Sequence, residues 1–453
     1  MITAIISLFL PCLFGIAVLW CAAVFLPPQR PGFTFRLIGA GICLGYLLLT
    51  LLMRAYSALG ISFSLAALAL PLLIAAIPLL IVAWRRTRFS CPICALRTLS
   101  WPARLIAILL LLALLFRFAL LWLDISTQPL FPWEAMLQSS AQAHVLFSQG
   151  KLVSFVDAST WLAQTDHDLY FSMTPTLSQT LPLLQAWMAY GAGEWNDALI
   201  NLPWWVLFAA LGFGVYGFVR RKAGILISLF TAWLVTSLPL LNAHVALAGL
   251  PDLPLAVFYT LAALALASWA EDKNPWDMLV FVALMLGAAL LWQASYGWLI
   301  TLFIAIPFVW VSKWRGRLAA IILTAVILLM LLLPQFGSSL SPQLVGITFM
   351  PDDDVQQWLD LLIAGRNWHV AWIVALAVMI FGGRQWFSDS CDVLTMIVFS
   401  AALFCVAMIG FPQLGILALG AVHAGRIVLI MMPLLMVWCV SVWVAQMSEG
   451  KEL

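Results

Sequence analysis

Charge is what this sequence has least of. Only 9% of its 453 residues are Asp, Glu, Lys or Arg, while 64% are hydrophobic. A soluble domain carries about 25% charged residues. Water cannot solvate a surface this apolar, whereas lipid can. Clustered basic residues on a polar surface are missing too, which excludes a nucleic-acid binder. The opening stretch, MITAIISLFLPCLFGIAVLW, has no basic leading segment and no small-x-small cleavage site. It reads as a first transmembrane helix, not a cleaved signal peptide. The eight cysteines form no framework. Cys12, Cys21, Cys43, Cys405 and Cys439 lie in apolar runs, where cysteine is an ordinary small hydrophobe. Cys91 and Cys94 make one CxxC without the second pair that a four-ligand zinc site needs. There is no nucleotide-binding loop and no HxxH or HExxH spacing among the five histidines. A divalent metal held by some of them with Asp166 or Asp168 stays open, and no other cofactor is indicated.

What the sequence has is long apolar runs. They fall near 3–25, 37–56, 61–84, 102–123, 200–219, 223–241, 247–269, 276–293, 297–312, 318–334, 367–382, 391–410 and 426–446. Spanning the roughly 30 Å of bilayer hydrocarbon takes about 20 helical residues, and backbone inside lipid must bond to itself. The expectation is an all-α polytopic membrane protein with about thirteen transmembrane helices. With that count, Arg30, Arg36, Arg85, Arg86, Arg88, Arg97, Arg104, Arg220, Arg221, Lys222, Lys273, Lys313, Arg315, Arg317, Arg384 and Lys451 share one side. Basic residues mark the cytoplasm, so the N-terminus is expected outside and the C-terminus inside.

The outer loops are unequal. Residues 124–199 form the longest and 335–366 the second. A long outer loop is where function concentrates. Within the first, 135–148 and 176–190 mix polar and apolar residues at helical spacing and are expected to lie along the membrane interface. Trp122, Trp133, Trp195, Trp204 and Trp205 fit an aromatic belt. Glu134 follows Pro132-Trp133, and Asp252 sits in Leu250-Pro251-Asp252-Leu253-Pro254. A carboxylate flanked this closely by apolar residues is costly unless paired or used. Arg117 lies inside a span and Arg426 heads the last one, so each must pair, snorkel or face a cavity. Asp352-Asp353-Asp354 reads as a hydrated loop. All five histidines, His144, His167, His244, His369 and His423, fall on the outer side.

These stretches resemble the multi-spanning C-superfamily glycosyltransferases that use polyprenyl-phosphate-linked sugars. That group includes the protein O-mannosyltransferases and the lipid A aminoarabinose transferases. Pro132-Trp133-Glu134-Ala135, followed by Ala141 through Gly150-Lys151, is similar to the family's acidic motif, interfacial helix and turn. Tyr170 through Leu177 and Tyr190-Gly191 resemble a later aromatic–proline stretch. Asp252 matches a second acidic position, and Gly425-Arg426-Ile427-Val428-Leu429 a late basic one. A single Glu stands where many members carry Asp-Glu, and Thr174-Pro175-Thr176 replaces a Pro-Pro pair.

The resemblance covers 102–446. It implies a three-span N-terminal extension and cytoplasmic linker over 1–101, a transferase core over 102–446, and a tail at 447–453. It further implies an inverting transferase with Glu134 and Asp252 as catalytic carboxylates. Arg426, Arg117, Lys151 and His423 become candidate substrate- or phosphate-binding residues. The implied partners are a polyprenyl-phosphate sugar donor, a lipid, glycan or protein acceptor, and membrane lipids. The implied place is a bacterial inner membrane with the site facing outward. A transporter or flippase, and a scaffold without catalysis, are the competing expectations.

Overall fold

The computed structural model describes residues 2–26, 31–86, 99–129, 132–163, 169–175, 178–292, 295–309, 368, 371–383, 385–386, 388, 391–410 and 421–449. Helices dominate. α1 (Ile2–Phe25), α2 (Phe33–Ala58), α3 (Leu65–Arg86) and α4 (Trp101–Thr127) come first. A helical turn at Trp133–Ala135 and a π-turn at Met136–Ser140 run into α5 (Ala141–Gln149). Next come β1 (Phe155–Val156), α6 (Ala158–Ala163) and β2 (Tyr170–Phe171), the two strands pairing in parallel. The chain continues with α7 (Thr180–Ala192), α8 (Leu202–Val219), α9 (Ile225–Thr236), α10 (Pro239–Ala246), α11 (Asp252–Asp272) and α12 (Pro275–Leu291). α13 (Ser295–Ala305), α14 (Ala371–Phe381), α15 (Asp392–Gly410) and α16 (Ala421–Glu449) complete the described elements.

The protein is a multi-pass membrane protein, but the expectation of thirteen spans is overturned. Among the described residues seven helices are long and apolar enough to cross a membrane, or eight if the bent pair α9–α10 counts as one span. The reason is length. An apolar run reports composition, not the extent of helix it makes. Within the described residues, the runs at 276–293, 297–312 and 367–382 carry helices of 17, 11 and 11 residues. An 11-residue helix is only about 16 Å long. The run at 391–410 also counts as a shorter apolar helix, over Asp392–Met408. The run at 318–334, the Cys91–Cys94 pair and the loop 335–366 lie outside the described residues.

α11 is the central helix, buried along nearly all of its length, and the similarly buried α16 packs against it. α4 stands at the periphery, with most of its side chains exposed. The first three helices join the same bundle. Gly45 of α2 faces α1 so closely that a Cβ would lie 1.9 Å from the Pro11 carbonyl oxygen, and one on Gly39 would lie 2.6 Å from that of Ala210 in α8. Small residues let helices approach this way in lipid, where no hydrophobic force drives them together. The helix expected over 176–190 forms as α7, but not as an interfacial one. Leu181 through Ala189 are all buried, and Trp187 Nε1 donates to the Ser7 carbonyl at 2.9 Å.

The bundle has two chemically distinct ends. At one, Arg36 pairs with Asp277 at 2.5 Å, Arg221 with Asp272 at 2.6 Å, and Lys222 with Glu271 at 2.5 Å. Lys273, at φ 53°, and the Asn274 side chain, which accepts from Trp276 N at 2.8 Å, turn the chain between α11 and α12 there. At the opposite end of α11 stands Asp252, where α1, α8 and α16 also begin. The C-terminal end of α16 therefore lies at the basic end.

Candidate functional site

Three residues distant in sequence meet at the first turn of α11. Arg426 Nη1 donates to Glu134 Oε2 at 2.6 Å, while its Nη2 and Nε donate to Asp252 Oδ2 at 2.8 and 3.0 Å. Glu134 and Asp252 lie on two edges of one planar guanidinium, which holds their oxygens within about 8 Å of each other. Each carboxylate opens a helical segment, where the N-terminal end of the helix dipole favours negative charge. The side chain of Asp252 is 2% exposed and that of Glu134 is 42% exposed. One carboxylate is thus enclosed in protein and the other is partly exposed.

The backbone around them is pinned. Ser139 Oγ in the π-turn donates to the Gly249 carbonyl at 2.8 Å, and Trp204 Nε1 to the Leu250 carbonyl at 2.9 Å. Gly249 has φ 92°, a conformation that glycine adopts without strain. Below this loop Gln185 Nε2 donates to Ser140 Oγ and Asn201 Oδ1, both at 3.0 Å. The π-turn re-aims one residue of a helix, a distortion common at functional positions.

His244 is a member of this group that the sequence placed no closer than the outer side. Its buried Nδ1 lies 3.9 Å from Asp252 Oδ2, beyond hydrogen-bond reach, and among the described residues it has no hydrogen-bond partner. Its sequence signal is faint: a histidine in an otherwise apolar stretch that ends in Leu250-Pro251-Asp252. Arg117 and Lys151 go elsewhere. Arg117 Nη1 donates to the Thr236 carbonyl at 3.3 Å, where α9 breaks off. Lys151 is exposed, next to Gly150 at φ 65°. The Leu152 amide beside it donates to Ser57 Oγ at 3.1 Å, which sets this turn over the end of α2. His423 lies in the first turn of α16. His144 packs edge-on against Trp195 with ring centroids 4.7 Å apart. Asp157, not singled out from the sequence, caps α6: its carboxylate accepts from Thr160 N and Ser159 Oγ, and these bonds, Thr160 first, hold it below the usual carboxylate range. Among the described residues no group of three His, Cys, Asp or Glu side chains could hold a metal ion. A cation bridging Glu134 and Asp252 would have to take the place of Arg426.

An apolar cleft of about 1090 Å³ runs between α1, α2, α4, α8 and α9. Its wall carries Phe9, Phe35, Phe118, Trp122, Trp205 and Phe213. Trp205 follows Trp204, whose indole holds the loop leading into Asp252.

Comparison with protein-family models, curated proteins and solved structures gives no match for this chain.

Proposed function

We propose that the protein is an inverting glycosyltransferase. It moves a sugar from a polyprenyl-phosphate donor to a lipid, glycan or protein acceptor at the outer face of a bacterial inner membrane. The observation that carries this reading is the pair of carboxylates clamped by Arg426 at the end of the bundle away from the basic cluster. Glu134, the exposed member, is the one an acceptor from the aqueous side reaches. As general base it takes the hydroxyl proton while the acceptor oxygen attacks the anomeric carbon. The bond from that carbon to the phosphate oxygen breaks, and the phosphate leaves with the electron pair, so no general acid is needed. Asp252, enclosed and fixed, supports the positive charge that develops on the sugar ring. The apolar cleft suits a lipid tail.

The outward orientation rests on the basic residues, which favour the cytoplasmic side. Arg36, Arg221, Lys222 and Lys273 lie a whole helix away from Asp252. On this reading the N-terminus is outside and the C-terminus in the cytoplasm.

The test is transfer by the purified protein in lipid vesicles supplied with a polyprenyl-phosphate sugar. Glu134→Gln keeps size and removes basicity, and should slow transfer about 10²- to 10⁴-fold with thermal stability unchanged. Full transfer in Glu134→Gln sinks the reading.

One observation favours a transporter instead. α9 and α10 form a span bent by 61° at its break, and discontinuous helices build the substrate sites of many transporters. Lipid flux across vesicles without any transfer product would select that alternative.

A further inference from the structure

Charge at the proposed site does not favour a phosphate. Glu134 and Asp252 set two negative charges against the single positive charge of Arg426, whose three nitrogens all address carboxylate oxygens. An incoming phosphate meets a net negative group and must first break an ion pair. Arg36 and Arg221 are likewise paired with carboxylates, and at the other end of the bundle.

Arg54 differs from all of these. It lies in the last turns of α2, at the same end as Asp252. No carboxylate pairs with it among the described residues; its Nη2 donates to the hydroxyl of Thr180 at 3.0 Å, and its Nε is enclosed without a partner. Thr180 Oγ1 and Ser178 Oγ both donate in turn to the carbonyl of Leu290, in the last turn of α12. α12 runs antiparallel to α11, with Gly287 pressed against Phe258. Three residues further on, Leu290 stands level with the first turn of α11, where Asp252 sits. Lys151 is the second cation at this corner, since Leu152 bonds Ser57, one turn along α2 from Arg54.

We propose that Arg54, with Lys151 beside it, is the anion subsite of this end of the bundle, and that it receives a phosphate group, either lipid-borne or free. The inference rests on the reading that the site works on a phosphate-bearing substrate, and it moves the phosphate from Arg426 to an arginine of the first three helices. A guanidinium held by one hydroxyl keeps its remaining donors for the two-pronged bonding that phosphate oxygens accept. The carboxylate pair is then left to the sugar and the acceptor.

Binding of farnesyl phosphate to the full chain in phosphatidylcholine nanodiscs tests this. Arg54→Gln should weaken binding about 10- to 100-fold, the loss expected for charge-assisted hydrogen bonds. Arg54→Lys should fall between, because a point charge keeps attraction without the fork. Lys151→Gln, on an exposed side chain, should weaken it several-fold and serves where Arg54→Gln fails to fold. Inorganic phosphate that displaces the probe identifies a free-phosphate site; failure to displace identifies a lipid-borne one. Unchanged binding in both Arg54→Gln and Lys151→Gln overturns the subsite. So does equal binding of farnesol, and so does loss only on Arg117→Gln. None of these outcomes touches the transferase reading, which is tested separately by sugar transfer in the unaltered chain and in Glu134→Gln.

Discussion

Arg426 holds the geometry of the site more than either carboxylate does. Asp252 is enclosed, and its nearest cation is this guanidinium at 2.8 Å. Removing one member of a buried ion pair strands the other and costs about 3–5 kcal/mol. Arg426→Ala is therefore expected to lower the thermal stability of the purified protein markedly. Adding Asp252→Asn to it should restore much of the loss, because the stranded charge is gone. Stability changes that simply add in the double variant show that the two groups are not coupled. Asp252 stood out in the sequence because a charge flanked by Leu250-Pro251 and Leu253-Pro254 is costly unless paired or used. Arg426 stood out as the head of an apolar run. His244 and Arg54 did not, since a lone histidine or arginine near a membrane boundary is ordinarily a solvated or snorkelling group. Only the fold brings His244 to Asp252 and Arg54 to Thr180.

At the scale of elements, the break between α9 and α10 decides what Arg117 does. A helix that stops inside a membrane leaves carbonyls without partners. Thr236 O receives Arg117 Nη1 at 3.3 Å and Asn242 Nδ2 at 2.9 Å. Asn242 Nδ2 also reaches the Leu238 carbonyl at 2.7 Å. Arg117 thus serves as a C-cap lent by a neighbouring helix, with its charge at the negative end of the α9 dipole. Arg117→Leu should destabilise the protein by about 1 kcal/mol, the net worth of one hydrogen bond, since Asn242 still meets Thr236 O, while the Km for a polyprenyl-phosphate donor stays unchanged. A raised Km with intact stability would return Arg117 to the substrate. The sequence runs 223–241 and 247–269 hid this break, because Ser237, Leu238 and Pro239 interrupt the helix without interrupting its apolar character. Proline marks such a stop, and here hydropathy alone overrode it. The helix α7 was expected, but its interfacial placement was wrong for a similar reason: Thr180 and Gln185, with Gln179 just before it, are polar positions that bond inside the protein, so its amphipathic pattern does not mean an exposed face.

At the scale of the molecule, the count of spans fails while the segregation of charge survives. Parity across thirteen runs was one way to sort the basic residues. The bundle sorts the described ones without counting, because α11 carries Asp252 at its first residue and Asp272, paired with Arg221, at its last. The 21-residue helix sets them about 30 Å apart, the thickness of the hydrocarbon core. This makes a direct test of orientation. A cysteine at Ala158 is exposed at the Glu134 end, on α6. A cysteine at Gly224 has open space around its Cβ, in the turn between α8 and α9 at the basic end. Cys12, Cys43, Cys391, Cys405 and Cys439 are buried, which keeps their background reaction low. In intact cells a membrane-impermeant maleimide should label Ala158→Cys, and should reach Gly224→Cys only after the membrane is opened. The reverse pattern would turn the site to the cytoplasm, where an acceptor and donor presented on the outer leaflet could not meet Glu134. Labelling of both positions from one side would mean that the two ends of α11 do not face opposite compartments, and the reading of α11 as a span would fall with it.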